Sequence, residues 1–380
     1  MVTPHLTPTT RLTPSSTAKS ARLAQLVQSY ARGRCDELHN RGSWVLQKIT
    51  PSQYQALLCT IEAGAPGYLG DKLRHDYDPS TGDLVLRIMP SAIHECFTAS
   101  LAGRITDWIR RIEVAGASNE GDEALADQGI IRRLLAEAAT KIRPGRTSNI
   151  VLKVQPDTED ELPSHNSTTS ATKSPDDQYC YGDFRYPPFV IEVAYSQKGK
   201  NLPRLAKQYY ECSDAAIKTV LTVDIKYMNL AMRKDKARPQ RQVTRSQSAS
   251  QTRREQQLTA AISLYRGDTR VFHNRPFRGP DGNHQPGSLS ISLLDFMPDS
   301  EVTRLEETLR RKIGERARGN NLIRDMLTDH ATLEIPFQDL CSDLVAAQKL
   351  QDIRDKTPSP PPLLPPAAQT EDLRMLDRHS

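Results

Sequence analysis

A mixed α/β fold, with a central sheet flanked by helices, is what this sequence predicts, on three observations. Two apolar runs, "FVIEVAYS" (Phe189–Ser196) and "TVLTVDIKY" (Thr219–Tyr227), read as strands and bracket a helix over about Leu202–Cys212. Strand, helix, strand at that spacing is a βαβ unit, so the two strands should run parallel. A second strand-to-helix passage lies upstream, where "GDLVLRIMP" (Gly82–Pro90) leads into Phe97, Leu101, Ile105, Trp108 and Ile112 at helical spacing. Finally, only 37% of the 380 residues are hydrophobic and the mean hydropathy is −0.58. That predicts one core of moderate size with disordered tails and insertions.

In chain order, a tail rich in Thr, Pro and Ser is expected over residues 1–35. "SWVLQKI" (Ser43–Ile49) alternates like a strand. Thr50 then reads as an N-cap, with Pro51 in the first turn and Gln53 completing a capping box, which starts a short helix reaching Gly64. The core runs over 36–231. It includes a strand at Asn149–Val154 and a flexible insertion at about 156–174, the polar stretch "QPDTEDELPSHNSTTSATKS". A basic linker follows over 232–257. Residues 258–353 add the strands "AAISLYRG" and "SLSISLLDFM", which should extend the sheet, and two helices over about Glu301–Arg318 and Phe337–Ile353. A Pro-rich tail with "TPSPPPLLPP" closes the chain over 354–380.

Six cysteines form no CxxC pair and the histidines form no HxH or HxxxH pair, which argues against structural zinc and for a reducing compartment. No apolar run reaches the ~20 residues that span a bilayer. The expected location is intracellular, nuclear or cytoplasmic. Mitochondrial targeting stays open, because Arg11, Lys19, Arg22, Arg32 and Arg34 precede the first acid, Asp36. The net charge of +5 permits a polyanionic partner. So does the linker, with Arg233, Lys234, Lys236, Arg238, Arg241, Arg245, Arg253 and Arg254 against Asp235 and Glu255.

Within "FVIEVAYS" the residues Phe189, Ile191, Val193 and Tyr195 share one face, and Val190, Glu192, Ala194 and Ser196 share the other. Glu192 is therefore an acid on a strand inside a sheet. It requires a cation beside it, because burying a lone carboxylate costs several kcal/mol. Asp176 and Asp177 come shortly before, after Pro175. Placed on the adjacent strand, Asp176 would meet Glu192 and form an oxygen-rich site suited to Mg²⁺.

These pieces in this order resemble the PD-(D/E)XK nuclease-like superfamily, in its Uma2-like, restriction-endonuclease-like branch. The resemblance covers about Gly82 to Tyr227 and rests on three segments. They are the strand, Met-Pro-Ser turn and His94-bearing helix, then "SPDDQY", and then the Glu192 strand with its Tyr209 helix and following strand. It implies a restriction-endonuclease-like core and Mg²⁺- or Mn²⁺-dependent hydrolysis of DNA or RNA. Asp176 and Glu192 would hold the metal with the main-chain carbonyl of Val193, and Glu95 would be an additional acid. Where the family has a lysine, two residues after the Glu, this chain has Ala194. The replacement cation is sought on the next helix, among Lys198, Lys200, Arg204 and Lys207, with Lys207 favoured. Tyr209 reads as a packing residue and His94 as a lone histidine at a helix start. Two rival readings stand beside the nuclease: a catalytically inactive nuclease-fold module that binds nucleic acid or protein, and an intracellular scaffold. A homodimer stays open.

Overall fold

The computed structural model describes residues 21–25, 27–28, 44–64, 74–87, 91–116, 126–153, 170–195, 202–227, 258–314 and 320–356. It is a mixed α/β fold built on two sheets. The first has six strands in the order β11-β10-β9-β8-β7-β4. These are β4 (Ile142–Pro144), β7 (Asp177–Tyr181), β8 (Phe189–Tyr195), β9 (Thr219–Tyr227), β10 (Leu258–Arg266) and β11 (Thr269–Arg278). The expected βαβ unit is present: β8 and β9 pair in parallel, Glu192 opposite Thr222, joined through α4 (Leu202–Glu211). Every other pairing in this sheet is antiparallel.

The second sheet has five strands in the order β1-β3-β2-β6-β5. Its members are β1 (Trp44–Lys48), β2 (Arg74–Asp78), β3 (Asp83–Arg87), β5 (Ile150–Lys153) and β6 (Ser170–Lys173). The helix α1 (Pro51–Gly64) packs on it, and its predicted capping box forms. The Gln53 N–H donates to Thr50 Oγ1 (3.3 Å), and the Thr50 N–H donates to Gln53 Oε1 (2.8 Å). In the β2–β3 hairpin Gly82 has φ +70°, and an added Cβ would lie 2.9 Å from the Ile49 carbonyl oxygen, so the turn requires glycine.

One face of the six-stranded sheet carries the main core. There α2 (Ala92–Ala115) lays Ile93, Phe97, Leu101, Ile105 and Trp108 against Ile191, Val193 and Val223. The rest of this layer comes from α3 (Ala126–Ala139), α5 (Asp299–Ile313), α6 (Asn320–His330) and α7 (Phe337–Lys356). Phe296 stacks on Phe189 with ring centroids 4.3 Å apart, joining the late part of the chain to the parallel strands. The opposite face holds a smaller core in which Val190, Tyr209, Leu205 and Val220 meet Ile150, Leu152 and Ala171 of the second sheet. No described helix is long and apolar enough to cross a membrane.

Four expectations need correction. The tail was drawn to residue 35, yet Leu23, Ala24 and Val27 are buried in the second sheet's core, a helical stripe hidden in polar sequence. The insertion at 156–174 ends in ordered chain, since β6 pairs with β5 and β2 and buries Ala171 and Lys173. Residues 288–292 do not extend the large sheet. They form β12 (Ser288–Ser292), which pairs only with β13 (Thr332–Pro336) and leads into a 3-10 turn at Leu293–Phe296. The last helix continues past 353 to Lys356. Residues 1–20, 154–169, the basic linker 232–257 and the Pro-rich stretch from 357 lie outside the described residues.

Candidate metal and phosphate site

The chain changes sheets just before the acidic strand. β6 ends at Lys173 in the second sheet, β7 begins at Asp177 in the first, and Ser174, Pro175 and Asp176 cross between them. Ser174 is fully buried and pins the crossing to β2. Its hydroxyl accepts the N–H of His75 (3.0 Å) and also contacts the His75 carbonyl and Asn149 Oδ1. The Ser174 N–H donates to Asp76 Oδ1 (2.9 Å).

Asp176 straddles Glu192. Its N–H donates to the Ile191 carbonyl (3.1 Å), and its Oδ2 accepts the Val193 N–H (2.6 Å). It is therefore bonded to the backbone of the residues on both sides of Glu192. Glu192 is fully buried, and Tyr209 donates its hydroxyl to Glu192 Oε1 at 2.7 Å from α4. A hydrogen bond of this kind is what makes a buried carboxyl group tolerable.

The other oxygen of Asp176 faces the first turn of α2. Ser91 caps that helix by accepting the His94 N–H (3.1 Å), which sets the imidazole at the helix mouth. His94 Nε2 lies 3.2 Å from Asp176 Oδ1, and His94 Nδ1 lies 3.2 Å from Glu95 Oε1. Burial alone would depress the His94 pKa, but the charge and hydrogen bond of Asp176, followed by those of Glu95, outweigh it and raise it to about 9. Glu95 is pulled below its usual range, first by its hydrogen bond with His94 and then by the Arg74 charge, which together outweigh desolvation. Arg74, the first residue of β2, reaches in from the second sheet. Its Nη1 is 3.2 Å from Glu95 Oε1 and 3.7 Å from Asp176 Oδ1. Asp177 points to the other side of its strand, where burial raises its pKa against the opposing pull of Arg146, 3.5 Å away.

Asp176 and Glu95 thus share His94 and Arg74, Asp176 also holds the Val193 backbone, and Lys207 does not join them. Its side chain is 71% exposed and pairs with Glu211 (3.4 Å, one helical turn on). It lines a groove of about 640 Å³ along α4 with Asp78, Lys173 and Arg204, and neither Asp176 nor Glu192 reaches that groove. The physical reason is helical geometry: positions 207 and 209 are ~200° apart around the axis, so a Tyr209 facing Glu192 turns Lys207 away. Arg204 lies 3.8 Å from Asp78. Lys198 and Lys200 lie outside the described residues.

Sequence reasoning missed Arg74 altogether, whereas Tyr209 packs between helix and sheet as expected and in addition donates to Glu192. The segment "RHDYD" has no apolar periodicity, so nothing local marks it as a strand. Tyr209 had a usable signal, since it repeats the register of Leu202, Leu205 and Ala206, the residues that α4 buries.

Carboxylates are the donor type that a hard divalent cation takes. Mg²⁺ binds through one or two carboxylates and keeps several waters, so the pair Asp176 and Glu192 suffices in kind. Among the described residues no group of three or more His, Cys, Asp or Glu donors is arranged to hold a metal. No protein-family model, curated protein or solved structure matches this chain.

Proposed function

We propose that this chain is a nuclease-type phosphodiesterase that hydrolyses DNA or RNA with Mg²⁺ or Mn²⁺ held by Asp176 and Glu192. One observation carries the reading: Asp176 is bonded to the residues on either side of Glu192, so two buried acids sixteen positions apart share one corner of the sheet. Burying such a pair is costly, and a site for a cation and a polyanion gives the cost a purpose. A bound cation would lower the pKa of its water and offset charge on the phosphodiester. The chain's own groups do the rest. The Val193 N–H orients Asp176 and Tyr209 orients Glu192, while Arg74 and His94 would supply positive charge near a phosphoryl oxygen that gains negative charge.

The test is cleavage of plasmid and single-stranded substrates in Mg²⁺ or Mn²⁺ by wild type and Glu192→Ala, with circular dichroism to verify folding. Wild type should cut, and the variant should lose about 100-fold or more. Wild-type activity no higher than that of the variant removes the enzyme. A second reading, a nucleic-acid-binding module without catalysis, is favoured by Ala194 in place of lysine and by the full burial of the Glu192 side chain. It predicts salt-sensitive binding of oligonucleotides with no metal-dependent cutting.

A further inference from the structure

The acidic corner lacks a lysine on its own strand. Ala194 is buried, apolar and on the same strand face as Glu192. We propose that Arg74, delivered from the second sheet, is the fixed cation of this site, a catalytic residue that offsets charge on the scissile phosphate while it holds Asp176 and Glu95. The inference rests on the phosphodiesterase reading and adds to it the residue that replaces the missing lysine.

Three observations support it. The first is reach. Arg74 Nη1 contacts Glu95 and Asp176 from a side chain only 20% exposed, and among the described residues it is the Lys or Arg ion-paired with Asp176. Both contacts use the same guanidinium nitrogen, and a guanidinium is a five-donor fork able to hold a carboxylate on one side and a phosphate oxygen on the other. The second is rigidity. The next residue, His75, donates its N–H to Ser174, and Asp76 accepts the Ser174 N–H, so β2 is tied to the chain two residues before Asp176. Arg74 is also held in ladder register with Arg87 of β3. A cation mounted this way needs no rearrangement when charge develops, which is the condition for electrostatic preorganisation. The third is chemistry. Carboxylates alone would keep a lysine charged here, so the advantage of arginine is its shape: a planar fork of five donors that holds carboxylate and phosphate oxygens at once.

A fixed cation beside Asp176 has two opposing effects. It repels a divalent metal from the resting site, and it favours the more anionic transition state. Arg74→Ala should therefore bind Mn²⁺ about tenfold more tightly in calorimetric titration with Mn²⁺ alone. Its kcat should fall about 100-fold or more, with KM for an oligonucleotide changed by less than about threefold. Arg74→Lys should recover part of kcat, and free guanidinium in the buffer should partly restore Arg74→Ala but not Glu192→Ala. A merely structural role would move metal affinity and kcat down together, with no rescue, and that result overturns the proposal. So does an Arg74→Ala enzyme with kcat and Mn²⁺ affinity unchanged, in which case the phosphodiesterase itself survives. A wild type that neither cuts nucleic acid nor binds Mn²⁺ removes both.

Discussion

Replacing His94 by Gln should cost stability at pH 6 and almost none at pH 10. The imidazole sits between Asp176 and Glu95, at 3.2 Å from each, with Arg74 opposing from the second sheet. Its pKa in the fold is about 9, against about 6.5 in an unfolded chain. A pKa raised by folding means that the native state binds the proton more tightly. The stabilisation is therefore complete below pH 6.5, declines as pH rises, and is gone once pH passes about 9. At 1.36 kcal/mol per pH unit, the shift corresponds to about 3 kcal/mol, an order-of-magnitude figure. Urea unfolding of wild type and His94→Gln at half-unit steps from pH 6 to pH 10 reads it directly. Gln keeps a hydrogen-bonding head without the charge, and the tyrosines and cysteines that also respond at high pH cancel in the difference. The gap should shrink by about 3 kcal/mol across the range. A gap that stays level, or an imidazole that titrates near 6.5 by NMR, would show that Asp176 and Glu95 do not hold the proton and that the geometry of the corner has been misread.

Two further changes probe a contact at the site and one at the opposite end of α2. Tyr209→Phe removes the hydroxyl that donates to Glu192 at 2.7 Å and leaves the ring in place, so urea unfolding at pH 7 should show a loss of about 1.5–3 kcal/mol; a loss under about 0.5 kcal/mol would mean that Glu192 does not depend on this donor. Gly116→Ala drives a methyl into Ala136 Cβ, where the end of α2 crosses α3, and should lower stability by about 1–3 kcal/mol. Adding Ala136→Gly should restore most of it, and an additive double variant would contradict the contact.

The fold was readable wherever burial left a periodic trace. β8 and β9 are runs of apolar and β-branched residues because both of their faces are covered, and the α2 stripe repeats at 3.6 residues because one side meets the sheet. β2 left no such trace. Arg74, His75, Asp76, Tyr77 and Asp78 form a strand because β3 and β6 flank them, and tertiary pairing outweighs their poor strand propensity. The acids of the site could be inferred from one strand and the turn before it. The arginine beside Asp176 and Glu95 could not, because its relation to Asp176 is made by two sheets meeting and by no spacing along the chain. Lys207 shows the reverse: it is near Tyr209 in sequence but not beside the acids in space, because the helix turns it away from Tyr209 and toward Glu211.

The Ser174 crossing also bears on how the molecule assembles. β7 and β8 join through a short connection, whereas the bonds from β2 to Ser174 link residues 98 and 99 positions apart. Closing so long a segment carries an entropic penalty that neighbouring hairpins escape, and contacts of this separation form late. On refolding, the acids would find each other before their arginine arrives, so helix and strand signals should recover ahead of the corner's electrostatic balance, with the interval set by chain connectivity.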